Sequence, residues 1–276
     1  MTNQLVFANN ERVCKIVNND YKICTESNVL VSVSEWSENN QVKKFNKSLE
    51  IDARGISSIT PNAFKNLKIT QLDITFNGAT INLEPESFDG LRWLKKLRFS
   101  YGNITLKKNL FKSIKSLNSL SLPINQSGQV LSETLNDFDN LKYLEIDNCN
   151  LGEINPYYFG ASGLNYLKLL RLDYNKINQI DPYAFAEIDQ SIELLSLTFN
   201  ELKSVKSKSF GELNTTVLYL SNNLIDTIED GAFENSHIGD IYLFFNFDIT
   251  VDKAAWKIPE STHVFQNNTD QSKDID

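Results

Sequence analysis

LYLSNNLIDTIEDGAFENSHIGD, residues 218–240, is one unit of a pattern that repeats along this 276-residue chain. Within it, Leu218 and Leu220 lie two residues apart, Asn223 follows three residues later, and Phe233 comes ten residues after the asparagine. The same arrangement returns every 23 to 26 residues. A fixed period of this length predicts a solenoid, in which each unit forms one turn and packs on its neighbours.

Three columns of residues define the repeat. The aliphatic pairs are Leu49/Ile51, Leu72/Ile74, Leu97/Phe99, Leu120/Leu122, Leu144/Ile146, Leu170/Leu172, Leu195/Leu197, Leu218/Leu220 and Ile241/Leu243. The Phe column, which ends on a tryptophan, is Phe64, Phe88, Phe111, Phe138, Phe159, Phe185, Phe210, Phe233 and Trp256. Alternation with a period of two predicts a strand with one buried face, and strands stacked in register predict a parallel sheet. No unit can bury its apolar side alone, so neighbouring units must cover it.

The Asn column lies where the chain leaves each strand. Its members are Asn77, Asn125, Asn175, Asn200, Asn223 and Asn246, with Cys149 in the corresponding position. A side-chain amide there can bond to backbone groups of the turn and of the next repeat. Two repeats are irregular: Gly102 replaces the asparagine of the third, and in the fourth Phe138 follows Asn125 by thirteen residues where ten is usual. Such an insertion is expected to bulge as a loop on one face.

The combined pattern is L-x-x-L-x-L-x-x-N/C-x-L followed by I-x-P-x-x-F, and it covers residues 49–256 in nine repeats. It resembles the leucine-rich repeat family, and most closely the extracellular subclass with 24-residue repeats. The resemblance implies an α/β-type solenoid, a horseshoe with a parallel β-sheet on its concave face. We predict an N-terminal cap at 1–48, repeats at 49–256, and a terminal capping strand with a tail at 257–276. A cysteine-rich C-terminal cap is not expected, since no cysteine follows Cys149.

Two cysteines indicate the compartment. Cys14 and Cys24 flank apolar-rich arms around Asn-Asn-Asp, a pattern typical of a β-hairpin. A disulfide across this hairpin would seal the open end of the stack and would imply an oxidising compartment. The alternative is that both thiols stay reduced. The first ten residues do not resemble a signal peptide, so the chain is either intracellular or secreted after loss of a leader.

Five N-x-S/T sequons favour secretion in the same way. Four of them are candidate glycosylation sites: Asn46, Asn103, Asn214 and Asn267. The fifth, Asn125, also belongs to the buried Asn column, so we predict that it is unmodified.

Charge and motif content exclude several classes of function. The net charge of −8 disfavours nucleic acid and anionic membrane as partners, since both require a basic surface. No apolar run reaches the length of a membrane span, so we expect no membrane insertion. The two histidines, His237 and His263, have no serine or cysteine arrangement to pair with, so catalysis, cofactors and metals are not expected.

The outward-facing residues of the strands point to a binding surface. In the C-terminal half they are apolar or aromatic, and we call this set the sheet-face patch: Tyr143, Leu169, Leu194, Val217, Tyr219, Tyr242 and Phe244. Exposed apolar patches usually mark interaction sites. Self-association, or cover by loops or the tail, are the alternatives. Two acidic groups, Glu50/Asp52/Asp73 and Glu145/Asp147/Asp173, are either sites for a basic ligand or solvated surface.

These features predict a secreted protein-binding module that recognises a protein ligand or co-receptor through the C-terminal half of its concave face. The layout of the cap is similar to that of secreted arthropod leucine-rich repeat proteins, many of which act in innate immunity. Three alternatives remain open: the ectodomain of a membrane receptor or adhesion protein, a secreted effector or inhibitor acting on a host protein, and an intracellular scaffold. A homodimer is compatible with each of them.

Overall fold

The computed structural model describes residues 12–37, 47–78, 80–124, 128–160, 164–188 and 191–266. The chain divides into two compact units. Unit 1 comprises Met1–Pro123 with Asp137–Asp139, and unit 2 comprises Ile124–Asn136 with Asn140–Asp276. Each unit is built from solenoid turns with parallel strands and little helix, and the chain has about nine such turns, as the repeat predicts.

Unit 1 begins with a three-stranded cap: β1 (Arg12–Val17), β2 (Tyr21–Glu26) and β3 (Val29–Glu35). Strands β1 and β2 form the predicted antiparallel hairpin, in which Cys14 lies directly opposite Cys24. The predicted disulfide joins these two residues. Asn18 and Asn19 form the turn with φ values of 52° and 56°, a left-handed conformation that asparagine tolerates better than most residues. The cap therefore follows from its turn residues and its cysteines.

The repeats of unit 1 alternate long strands with two-residue strands. In chain order they are β4 (Ser48–Asp52), β5 (Ser58–Ile59), β6 (Gln71–Thr75), β7 (Thr80–Ile81), β8 (Lys96–Ser100), β9 (Asn103–Ile104) and β10 (Ser119–Ser121). Strands β4, β6, β8 and β10 pair in parallel, in the register of the aliphatic pairs. The cap joins this stack because β3 pairs in parallel with β5. Two 3-10 helices, Pro85–Phe88 and Lys112–Ile114, lie on the return side of the turns.

Unit 2 has the same construction. Its elements are α1 (Gly128–Leu135), β11 (Tyr143–Glu145), β12 (Glu153–Ile154), β13 (Leu169–Arg171), β14 (Gln179–Ile180), β15 (Ile192–Ser196), β16 (Ser204–Val205), β17 (Asn214–Tyr219), β18 (Thr227–Ile228), β19 (His237–Tyr242), α2 (Lys253–Trp256) and β20 (His263–Phe265). The insertion before Phe138 forms helix α1, so the expectation of a loop is wrong. The helix buries Leu131 and Leu135 completely, and this apolar contact explains why the inserted residues are helical.

The Phe column forms the core on the side of each turn opposite the sheet. Every member is at most 3% exposed, including Trp256. In unit 2 the rings of Phe159, Phe185, Phe210 and Phe233 stack with centroid separations of 5.6, 5.8 and 5.5 Å. The aliphatic pairs are buried to the same degree. The repeat thus places two hydrophobic columns in each turn, and stacking buries both.

The Asn column bonds backward along the chain. Asn200 accepts hydrogen bonds at Oδ1 from the backbone N–H of Asn175 (2.9 Å) and Ile177 (3.0 Å), and its Nδ2 donates to the carbonyl of Leu172 (3.0 Å). All three belong to the preceding turn, so the expected bond to the next repeat is wrong, whereas the expected bond within the turn is confirmed, since Nδ2 also donates to the carbonyl of Leu197 at 2.9 Å. Cys149 does the same with its Sγ, which accepts from the N–H of Ile124 at 3.1 Å. The side chain at this position of each turn therefore forms hydrogen bonds with backbone groups of the turn before it.

The longest helix in the described residues, α1, has eight residues. None of the described helices is both long and apolar enough to cross a bilayer.

Candidate protein-binding face

The first column of the sheet-face patch is continuous in unit 2. Tyr143 pairs in register with Leu169, Leu169 with Leu194, and Leu194 with Val217. Tyr143 is 41% exposed, and the three aliphatic side chains are half-buried by one another. Because neighbouring strands lie about 4.8 Å apart, these four side chains form an unbroken apolar strip.

The second column is a ladder of stacked aromatic rings. Tyr219 and Tyr242 have centroids 4.8 Å apart, and Phe244 lies 6.1 Å from Tyr242. Phe265 of β20 stacks on the other side of Tyr242 at 4.8 Å and is 38% exposed. Sequence reasoning missed Phe265 because the repeat pattern fades after Trp256. In the structure Val264 pairs with Ile241 in the register of the aliphatic pairs, so Phe265 falls in the same column as Tyr242.

The acidic group beside this patch surrounds one cation that the chain itself supplies. Arg171 contacts Glu145 at 3.1 Å and Asp147 at 2.5 Å, and its Nε lies 4.0 Å from Asp173. Asp173 also accepts hydrogen bonds from the Ser196 hydroxyl (2.6 Å) and from a backbone N–H. Arg171 therefore takes the place among Glu145, Asp147 and Asp173 that a basic ligand would take, which favours the alternative of solvated surface with its own ion pairs over a ligand site.

Burial affects the protonation of this network. It raises the pKa of Asp147 above its ordinary value, against the opposing effect of the Arg171 guanidinium. It also raises the pKa of Asp173, against the hydrogen bond from Ser196. Burial likewise raises the pKa of Cys149 to about 11, which favours the neutral thiol over the nucleophilic thiolate.

The corresponding face of unit 1 is polar. Asp52 forms a bidentate pair with Arg54, with oxygen–nitrogen distances of 2.8 and 2.6 Å, and Asp73 accepts from Gln71 at 2.8 Å. The Arg54 hydrogen bond lowers the pKa of Asp52. Of the first acidic group only Glu50 has neither of these compensating partners. It faces a groove that Lys15 and Tyr101 also line.

A second exposed apolar set lies in unit 2 just beyond the ends of the strands. We call it the aromatic rim: Tyr174, Phe199, Leu224, Phe245 and Phe247. Its members are 44–68% exposed. Tyr174 and Phe199 stack at 4.5 Å with nearly parallel rings. The outward positions of the strands do not include this set, because the rim occupies the residues on either side of the Asn column, and it was therefore not predicted from the sequence.

Other predicted residues are less informative. Asn214 is exposed at the start of β17, and Asn103 is half-buried in β9. Asn46, Asn125 and Asn267 lie outside the described residues. His263 contacts Asp240 at 2.9 Å on the edge of the sheet-face patch. In the part of the chain that the structure describes, no three His, Cys, Asp or Glu side chains form a group that could hold a metal ion.

Comparison with protein families matches residues 57–191 and 135–257 to the BspA-type leucine-rich repeat region, in six copies. The chain belongs to this leucine-rich repeat family. The matched residues include every residue of the sheet-face patch. No curated protein matches this leucine-rich repeat chain in sequence.

Solved structures show the same fold at low identity. A chain of the TLR13–ssRNA13 complex is 20% identical with a TM-score of 0.57, over 72% of this chain and 32% of that one. A chain of the Toll–Spatzle complex from Drosophila is 16% identical with a TM-score of 0.54, over 92% of this chain and 40% of that one. The chain thus spans about a third of the first and two fifths of the second.

A shorter relative is similar over most of both chains. It belongs to the octameric complex of Latrophilin 3, Unc5D and FLRT2, in which FLRT2 contributes a leucine-rich repeat. The identity is 17%, the TM-score is 0.50, and the match covers 79% of this chain and 75% of that one. At these identities the likeness concerns the fold, and the function has to be argued from the surface of this chain.

Proposed function

We propose that this leucine-rich repeat chain is a secreted protein-binding module, and that its protein ligand or co-receptor contacts the sheet-face patch of unit 2. The observation behind the proposal is the register of β11 to β20, which sets Tyr143, Leu169, Leu194 and Val217 beside the stacked ladder of Tyr219 and Tyr242. Tyrosines supported by aliphatic side chains have the composition of an interface hot spot, because they offer large apolar area at a low cost in side-chain entropy.

The charged side chains around the edge of the sheet-face patch indicate which class of partner this face can bind. Arg171 is occupied by its acidic neighbours, and Lys168 pairs with Glu193 at 2.5 Å. Asp240 lies at the other edge, where its side chain contacts His263. The face therefore has no excess of positive charge, which disfavours nucleic acid on this surface and favours a protein with apolar anchors.

The extracellular setting belongs to the same proposal. The Cys14–Cys24 disulfide favours an oxidising compartment, and exposed Asn214 is a suitable glycan acceptor. The extracellular 24-residue subclass is consistent with the repeat length. The Toll complex is described as a hub in development and innate immunity, and we propose innate immune recognition for this chain as well.

The test is affinity capture from the extracellular fluid of the source organism, followed by direct binding measurements with the captured protein. We expect Tyr219→Asp/Tyr242→Asp to lose the partner, because two charges would replace the centre of the aromatic ladder. The matched control is Tyr157→Asp/Tyr166→Asp, which makes the same change at tyrosines that are 52% and 60% exposed outside the sheet strands. Equal recovery of every captured protein by both double variants would exclude the sheet-face patch as the site.

A further inference from the structure

The aromatic rim is strained as well as exposed. Tyr174, Phe199 and Phe245 have φ values of 58°, 56° and 58°, in the left-handed region. A bulky residue adopts this conformation much less readily than asparagine, which tolerates it. The chain does place asparagine at the same position of other turns, at Asn148 and Asn222. Aromatic residues kept in a costly conformation on the surface indicate a function for the rim.

The area of the rim is sufficient for a specific contact. Its five side chains are 44–68% exposed, so each offers roughly 100 Å² of surface. Two such rims packed together would bury about 1,000 Å² in total, which is the lower limit for a specific interface. A second copy of this chain therefore provides a matching surface of the right size.

The charged side chains beside the aromatic rim are arranged so that two copies of the chain would bring opposite charges together. Lys203 and Asp226 occupy the same position of two neighbouring turns, three residues after Asn200 and Asn223. Both side chains are exposed, and within the described residues they form no ion pair with each other. A two-fold rotation about an axis between these turns exchanges them. It brings each lysine opposite the aspartate of the other copy.

We propose that two copies of this chain form a symmetric dimer through the aromatic rim of unit 2. In this arrangement Tyr174 faces Phe245 of the partner subunit, and Lys203 faces Asp226 of the partner subunit. Each contact occurs twice, as an isologous interface requires. Because the rim and the sheet-face patch are separate residues, the dimer presents two copies of the patch, and neither proposal depends on the other.

Sedimentation velocity of the full chain over a range of concentrations tests this directly. We expect a monomer–dimer equilibrium in the micromolar range, and Phe199→Asn or Phe245→Asn should weaken it by about tenfold or more. Both variants install the residue that neighbouring turns already use, so their melting temperatures should not fall. A chain that stays monomeric up to high micromolar concentration, or a dimer unaffected by both variants, would refute the proposal.

A charge reversal gives a second, independent test. Lys203→Asp should weaken the dimer by about tenfold, because two aspartates then face each other in each contact. Lys203→Asp/Asp226→Lys restores both pairs and should return the dissociation constant to within about threefold of wild type. Lys65→Asp, at an exposed lysine of unit 1, controls for net charge and should have no effect. If the double reversal fails to recover the dimer that the single reversal lost, this geometry is wrong.

Discussion

The Phe column and the aromatic rim of unit 2 contain the same residue types, but the column is buried and the rim is exposed. Phe185 is 1% exposed and stacks on both neighbours, whereas Phe245 is 68% exposed and is held at a positive φ. Both recur with the repeat, so periodicity alone does not separate a core aromatic from a surface one. We expect a phenylalanine of the core column to contribute to stability and one held at a positive φ on the surface to reduce it, and mutations can measure this difference.

The largest effect is expected in the Phe column. Phe185→Ala should lower the free energy of unfolding by about 3–5 kcal/mol, because it opens a cavity between Phe159 and Phe210 that the stacked turns cannot close. Urea denaturation measures the loss. Phe247→Ala, at a residue 60% exposed, is the control and should change little. Equal losses in both variants would remove the distinction between the two sets.

The Asn column comes next, and it extends the comparison to polar groups. Asn200→Ala should cost roughly 2–3 kcal/mol, because the N–H groups of Asn175 and Ile177 lose their acceptor in a buried site. Asn200→Cys should cost less, since Cys149 already fills this role in the chain with its Sγ. If alanine and cysteine are equally destabilising at this position, the backward hydrogen bonds do not explain the column.

The parts that the sequence predicted are those that every turn repeats. The aliphatic pairs, Phe column and Asn column each need the same environment in every turn, so one period contains the information. Phe265 and helix α1 were missed because they occur where the period is broken. The pairing of Arg171 was missed because a long side chain reaches across columns, and spacing along the chain does not encode that reach. The rim was missed because exposure of a turn residue depends on its neighbours in space.

A smaller effect on the free energy of unfolding is expected in the Arg171 network, which lies between the core and the exposed face of the sheet. Because burial raises the folded-state pKa of Asp173, its contribution to stability is complete below the unfolded pKa and is lost as the pH rises through the folded pKa. Asp173→Asn removes this loss and keeps an acceptor for Ser196, so at neutral pH it should be as stable as wild type or more stable, by at most about 1 kcal/mol.

That difference should shrink as the pH is lowered and the wild-type carboxyl becomes protonated. Denaturation of both proteins from neutral to acidic pH measures it. Arg171→Met should behave in the opposite way and destabilise most at neutral pH, where it leaves three carboxylates without their cation. A constant difference between Asp173→Asn and wild type across this range would contradict the direction of the shift.

The smallest expected effect is a gain in stability and not a loss, and it tests most directly whether the aromatic rim differs from the Phe column. Phe245→Asn should raise the free energy of unfolding by about 0.5 kcal/mol, because asparagine relieves the left-handed strain and an exposed ring gives up little packing. Phe245→Ala keeps the strain and should show no gain, so the two variants separate conformation from loss of the ring. A core phenylalanine could not respond in this way, since every truncation there leaves a cavity. If Phe245→Asn is destabilising, the rim contributes to the fold and the contrast with the Phe column is one of degree.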